Sequence, residues 1–154
     1  MPSPPSTLTL TEADRRRLHA WALAALPGEA CGLLIGHAAD QHLRVTEVTR
    51  ARNRADDHHH FELDPGDWLA THDACRLAGT EIVGVWHSHP DGSGLPSPLD
   101  AAAAWPGYAC VIVPLTATDR APRAYWPRGA QLGEIRLEHR SAGGARVSSA
   151  TRSA

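Results

Sequence analysis

Glu81-Ile82-Val83-Gly84-Val85-Trp86-His87-Ser88-His89-Pro90 decides how this chain is read, because it joins a buried-strand pattern directly to two histidines one residue apart. Glu81 to Trp86 is a short, mostly apolar run with β-branched and aromatic members, which predicts a strand buried in a sheet. In an extended chain residues i and i+2 share a face, with a rise of about 3.3 Å per residue, so His87 and His89 can present two imidazoles to one ion. Pro90 lacks a backbone donor and ends the strand, releasing the chain into the Gly/Ser/Pro-rich loop Asp91 to Pro96. Trp86 and Ser88 fall on the opposite face. Trp86 is expected in the core and Ser88 in a structural role.

Beyond that loop, Ser97-Pro98-Leu99-Asp100 runs into Ala101 to Ala104. Serine at the N-cap, proline at N1 and aspartate at N3 form a capping box, and Asp100 then serves only the helix end. The second reading is chemical. A carboxylate in the first turn of a helix just past two histidines can swing back as a third ligand, and two histidines, an aspartate and a water make a four-coordinate zinc site with an open position.

The rest of the chain supplies strands and helices around this segment. Thr11 and Asp14 resemble a capping pair, and Leu18, Trp21, Ala22, Ala25 and Leu26 recur at helical spacing, predicting a first helix from about Glu12 to Leu26, stopped by Pro27 and Gly28. Cys31 to Ile35 and Leu43 to Val48 predict two paired strands joined through Gly36 to Gln41. Asp64 and Pro65 open a second helix that ends at Gly79. Tyr108 to Val113, Ala121 to Trp126 and Leu132 to Glu138 predict three further strands. The expected fold class is α/β, one central mixed β-sheet flanked by helices, in a single domain over residues 8–138. Pro2, Pro4 and Pro5 predict a disordered arm over residues 1–7, and the Ser/Ala/Gly/Arg run predicts a disordered tail over 139–154.

At 154 residues, one domain is the prior. Lys and Arg total 15 and Asp and Glu 17, a formal charge of −2, which argues against a general nucleic-acid binder because no basic excess is available to displace counterions. No apolar run approaches the about 20 residues that span a bilayer, and Met1 to Thr9 has no leader-like pattern, so a soluble, unexported protein and no membrane partner are expected. Cys31, Cys75 and Cys110 are odd in number and free of any CxxC pair. They read as reduced core thiols and favour a cytoplasmic location. His58, His59 and His60 read as a polar loop before the second helix, able to line a substrate groove.

Glu29, in the stretch Pro27 to Leu34, completes a wider pattern. Together with His87-Ser88-His89-Pro90, Ser97 and Asp100, with seven residues between His89 and Ser97, the chain resembles the JAMM (MPN-plus) metalloproteases, whose signature is a distant glutamate, H-[S/T]-H-P and S-x-x-D. Glu29 to Gly36, Phe61 to Pro65 and Gly84 to Pro90 are similar to the small prokaryotic members, over roughly residues 8–127.

The resemblance implies a cytidine-deaminase-like MPN/JAMM fold and one Zn²⁺ per chain, held by His87, His89 and Asp100 with water as fourth ligand. It further implies Glu29 as the general base and Ser97 as a hydrogen-bond donor to the developing oxyanion. The implied activity is that of a zinc metallopeptidase or isopeptidase, acting near the C-terminal Gly-Gly of a ubiquitin-like or sulfur-carrier protein. A non-catalytic MPN scaffold and a zinc hydrolase of small amides are the competing readings. The zinc-deaminase and HExxH patterns are absent.

Overall fold

In the computed structural model, residues 3–116, 118–141 and 146–147 are described. Their elements are β1 (Thr7–Thr11), α1 (Glu12–Ala24), β2 (Cys31–Ala39), β3 (His42–Ala51), α2 (Pro65–Ala78), β4 (Glu81–His89), α3 (Pro98–Ala103), β5 (Ala109–Pro114), β6 (Arg123–Arg128), β7 (Gln131–Arg140) and β8 (Arg146–Val147). The strands form one mixed sheet in the order β1-β3-β2-β4-β5-β6-β7-β8. β1 also pairs with β7, so the sheet curls round and closes on itself. The pairs β1/β3, β1/β7 and β4/β5 are parallel; the others are antiparallel.

Alternation along the central strands feeds two cores. Leu34 and Trp86 point to one side, where Leu18 and Ala22 of α1 meet Leu8, Leu10, Val45, Val111 and Leu137. Leu33 and Val85 point to the other, toward Cys31, Ala51, Leu63, Phe61 and Trp68 at the foot of α2. Helices on both faces explain why β4 reads as an apolar run rather than an alternation. Trp86 is fully buried, stacks on Trp21 at 5.9 Å and donates its indole N–H to the Thr49 carbonyl at 2.8 Å. That bond passes over Gly32, where a Cβ would lie 1.9 Å from the Thr49 oxygen.

The helix signals act as read. Thr11 Oγ1 accepts the Asp14 amide at 3.0 Å, Asp64 Oδ1 accepts the amides of Gly66 and Asp67, and Gly79 ends α2 at φ 71°. Several expectations need correction. β1 was not foreseen, because the prolines outweighed the alternation Thr7-Leu8-Thr9-Leu10-Thr11. Those prolines lie upstream of the strand, where the missing donors cost no ladder bond, and Leu8 and Leu10 are fully buried. Thr7 therefore belongs to the sheet rather than to an arm, and Pro5 is buried. His139 and Arg140 likewise complete β7 instead of starting a tail, while residues 1–2, 142–145 and 148–154 lie outside the described residues. β2 and β3 run on to a turn at Asp40 and Gln41; Gly36 is not part of the connection but sits at a β-bulge, where a Cβ would meet the Arg44 carbonyl at 1.8 Å. β4 includes both histidines, which keeps their rings in strand register.

Candidate metal centre

β4 holds its last residues between two neighbours. His87 is opposite Cys31 of β2 and Ile112 of β5, so its backbone is fixed from both sides. On the α2 face, His87 Nε2 and His89 Nε2 are 3.2 Å apart. Asp100 Oδ1 lies 3.1 Å from His87 Nε2 and Asp100 Oδ2 lies 3.0 Å from His89 Nε2. Donors bound at about 2.0–2.2 Å in a tetrahedron stand about 3.3–3.6 Å from one another. The two imidazole nitrogens at 3.2 Å fit two corners of such a site with a small expansion, and Asp100, with one oxygen 3.0–3.1 Å from each of them, is placed to fill a third. Among the described residues this is the one group of three or more such side chains able to hold a metal ion.

The ring orientations agree with that use. His89 Nδ1 faces the Ser93 carbonyl at 2.7 Å, and a carbonyl only accepts, so this nitrogen carries a proton; loss of the second proton, which Nε2 shares with Asp100, turns a lone pair toward the centre. The Phe61 ring stacks on His87 with centroids 4.6 Å apart. Burial pushes the His87 imidazole below its ordinary pKa. At His89 burial acts the same way but is outweighed by hydrogen bonds to Asp100 and Ser93, so the shift is upward. Burial would raise Asp100; the hydrogen bonds from His87 and His89 instead hold its carboxyl far below the usual carboxylate range. An anionic Asp100 is the form that either a cap or a ligand needs.

Asp100 forms the cap and is also placed for the second role that the sequence leaves open. Its Oδ2 accepts the Ser97 amide at 2.8 Å while Ser97 Oγ accepts the Asp100 amide at 3.1 Å, a complete capping box at the start of α3. The same carboxylate spans the two histidines. Ser97 Oγ spends a lone pair on the cap and keeps its O–H proton free to donate.

Glu29 arrives from the turn after α1, through a cis Leu26–Pro27 bond, and is buried at 7% exposure. Ser88, on the far face of β4, fastens this turn: its Oγ accepts the Ala30 amide at 2.8 Å and its own amide donates to the Ala30 carbonyl at 3.0 Å. Asn53 Nδ2 adds a bond to the Glu29 carbonyl at 3.0 Å. Glu29 Oε2 is buried with no hydrogen-bond partner among the described residues. Burial raises the carboxyl to about 7, with His89 pulling it down and Asp100 pushing it up. A carboxyl titrating near neutrality beside a metal-ligand set has the properties of a proton carrier. We expect Ser88→Ala to cost about 1–3 kcal/mol in chemical denaturation, because a buried amide loses its acceptor. Unchanged stability would remove Ser88 as the fastener of this turn.

His87, His89, Asp100, Ser97 and Glu29 are thus gathered at one place. His58, His59 and His60 sit in the loop 52–64: His60 Nδ1 pairs with Asp57 at 2.8 Å, and His58 Nδ1 lies 3.5 Å from where a Gly28 Cβ would be, so this loop flanks the Glu29 turn. Burial pushes Cys31 and Cys110 up to about 12, which makes both inert thiols. Two residues escaped the sequence reading. Asn53 organises the loop through the Glu29 and His60 carbonyls and the amides of Ala55 and Glu62, contacts that no local pattern announces. Phe61 was noted as part of a stretch, but its stacking on His87 was not.

The closed mixed sheet with helices on both faces, two histidines at a strand end and an aspartate in the next helix define an α/β protein with a candidate metal site. The chain belongs to the family described as prokaryotic homologs of the JAB domain, whose model matches residues 11–127, and the JAMM resemblance is thereby established. It is similar to a desampylase of Haloferax volcanii, 38% identical over 88 residues, covering 56% of this chain and 62% of that protein. A desampylase of Pyrococcus furiosus is 34% identical over 80 residues, covering 51% and 54%. The matched part of the chain thus spans little more than half the length of these curated relatives. A solution structure of a Desulfitobacterium hafniense protein superposes with a TM-score of 0.80 at 28% identity, covering 87% of this chain and 93% of that one.

Proposed function

We propose that this protein is a zinc-dependent metallopeptidase or isopeptidase that cuts after the C-terminal Gly-Gly of a ubiquitin-like or sulfur-carrier protein. The observation carrying this reading is the juxtaposition of three donors at 3.0–3.2 Å with a buried glutamate that has an unpartnered oxygen. His87, His89 and Asp100 would hold the ion, which when bound acts as a Lewis acid on a carbonyl and lowers the pKa of water to about 7. Glu29 takes the proton from the attacking water at its free Oε2 and delivers it to the leaving amine. Ser97 donates its O–H to the oxygen on which negative charge develops. A ubiquitin-like substrate is supported by the name desampylase that both curated relatives carry. A flexible tail is best held by backbone pairing beside the sheet. Free cysteines and the lack of any helix long and apolar enough to cross a membrane among the described residues fit a cytoplasmic site of action.

The test is elemental analysis of the purified chain together with cleavage of a ubiquitin-like carrier extended beyond its Gly-Gly. One zinc per chain, cleavage lost on chelation and regained on adding zinc, is the expected outcome. A chain that binds no zinc at micromolar concentrations would overturn the reading. Ser97→Ala should lower kcat by about 10²–10³, the loss typical of one oxyanion donor, with a separate cost of about 0.5–2 kcal/mol for the lost cap. An unchanged kcat would reduce Ser97 to its cap.

A further inference from the structure

The loop from Asp91 to Pro96 joins His89 to the cap of α3, and its glycines and serine give it little conformation of its own. Asp91, Ser93 and Leu95 are exposed, yet Gly94 between them is buried. What covers Gly94 comes from β6. Ile112 of β5 pairs with His87 on one side and with Arg123 of β6 on the other, and paired residues point to one face. Arg123 and Tyr125 therefore stand on the face of the two histidines. Tyr125 is 2% exposed, and its hydroxyl donates to the Gly94 carbonyl at 2.6 Å. Burial pushes that phenol up to about 12, so it keeps its proton and acts as a donor at neutral pH. The Arg123 stem lies against the same residue: a Cβ at Gly94 would stand 3.1 Å from Arg123 Cδ and 3.3 Å from Cγ.

The carbonyl just before this one, that of Ser93, is the acceptor for His89 Nδ1 at 2.7 Å. The chain also closes over the ring at Gly92, where a Cβ would be 3.5 Å from His89 Nδ1. Within the loop the Leu95 amide donates to Ser93 Oγ at 3.2 Å. Among the described residues two hydrogen bonds tie the loop to the rest of the fold, one to the His89 ring and one to Tyr125.

We propose that Tyr125 is a positioning residue for the metal centre: by holding the Gly94 carbonyl it aims the Ser93 carbonyl at His89 Nδ1, which keeps a proton on that nitrogen and leaves Nε2 for an ion. The proposal rests on the metal-ligand reading of His89 only for its effect on zinc. A peptide unit flanked by glycine can turn over at little steric cost, and the Ser93 carbonyl would then swing away and leave Nδ1 without its acceptor. The Tyr125 hydroxyl removes that freedom although it makes no hydrogen bond to His87, His89 or Asp100. Groups bonded directly to a ligand are worth about 10–100-fold in metal affinity. Tyr125 acts one bond further out, and its effect is expected at the lower end of that range.

Zinc affinity would be measured on the full chain by competition with a chromophoric chelator, for the wild type, Tyr125→Phe and Thr9→Val. The last variant is the control: it also removes one buried hydroxyl, the partner of His42, but from β1, which borders none of β4, β5 and β6. Tyr125→Phe should weaken zinc binding about tenfold and Thr9→Val less than about twofold. On the metal-free chain at about pH 9, long-range ¹H–¹⁵N spectra of the histidine rings should place the His89 proton on Nδ1 in the wild type and divide it between Nδ1 and Nε2 in Tyr125→Phe. Zinc affinity within about twofold of the wild type in Tyr125→Phe, equal weakening in the control, or an unchanged His89 ring would overturn the proposal. A wild type that binds no zinc, with the His89 proton still redistributed in Tyr125→Phe, would overturn the metal reading and uphold Tyr125 as the residue that positions the ring.

Discussion

Glu29→Gln is expected to keep one zinc per chain and to lose about 10²–10⁴ in kcat, the usual worth of a positioned general base. The amide preserves size and burial but cannot accept and return a proton. Glu29 is not among the metal-ligand set, so metal content should be unaffected. Retained turnover in this variant would remove Glu29 as the base. A stability measurement follows from the same residue. Its carboxyl lies near 7 in the fold against an ordinary 4.5. The folded state therefore binds more protons than the unfolded state between those values, and stability falls as pH rises through that window. Without metal, Glu29→Gln should raise the melting temperature at pH 8 and leave it unchanged at pH 4. A rise at both pH values would assign the effect to packing.

His89→Ala and Asp100→Ala should each lose stoichiometric zinc, with affinity lowered by at least about 100-fold, beyond what outer partners of a ligand usually cost. Zinc binding stabilises a fold by about 2.7 kcal/mol at 100 times Kd, so added zinc should raise the wild-type melting temperature by several degrees and leave both variants unmoved. The two variants differ in one informative way. His89→Ala leaves the α3 capping box whole, whereas Asp100→Ala also removes the acceptor of the Ser97 amide and costs a further amount of about 0.5–2 kcal/mol. A full zinc complement in either would break the ligand assignment, and equal metal-free stabilities would show that Asp100 contributes little as a cap.

Legibility followed the range of the interactions. The site was readable because its parts lie within fourteen residues, from His87 to Asp100, and because strand alternation and capping rules translate directly into directions in space. Glu29 was reachable only through family resemblance, since the bonds that bring it in come from Ser88 and Asn53, far away in sequence. β1 was obscured by the prolines before it, although Thr7 to Thr11 alternates without fault. The closure of the sheet through β1 and β7 joins residues more than 120 positions apart, and no local pattern encodes such a pairing. Helix ends were recovered where a capping side chain or a left-handed glycine fixes them and drifted where neither does, as at Ala24.

β4 carries His87 and His89, the two proposed ligands, on one face and, between them on the other, the Ser88 hydroxyl that fastens the turn of Glu29. Insertion or deletion of a single residue upstream of His87 would turn both imidazoles inward, toward Trp21 and the interior, and would put Ser88 where an ion should sit. Point substitutions in β4 can be graded in their harm. A shift in length cannot, so the variation open to this strand is in the chemistry of its residues and not in their number.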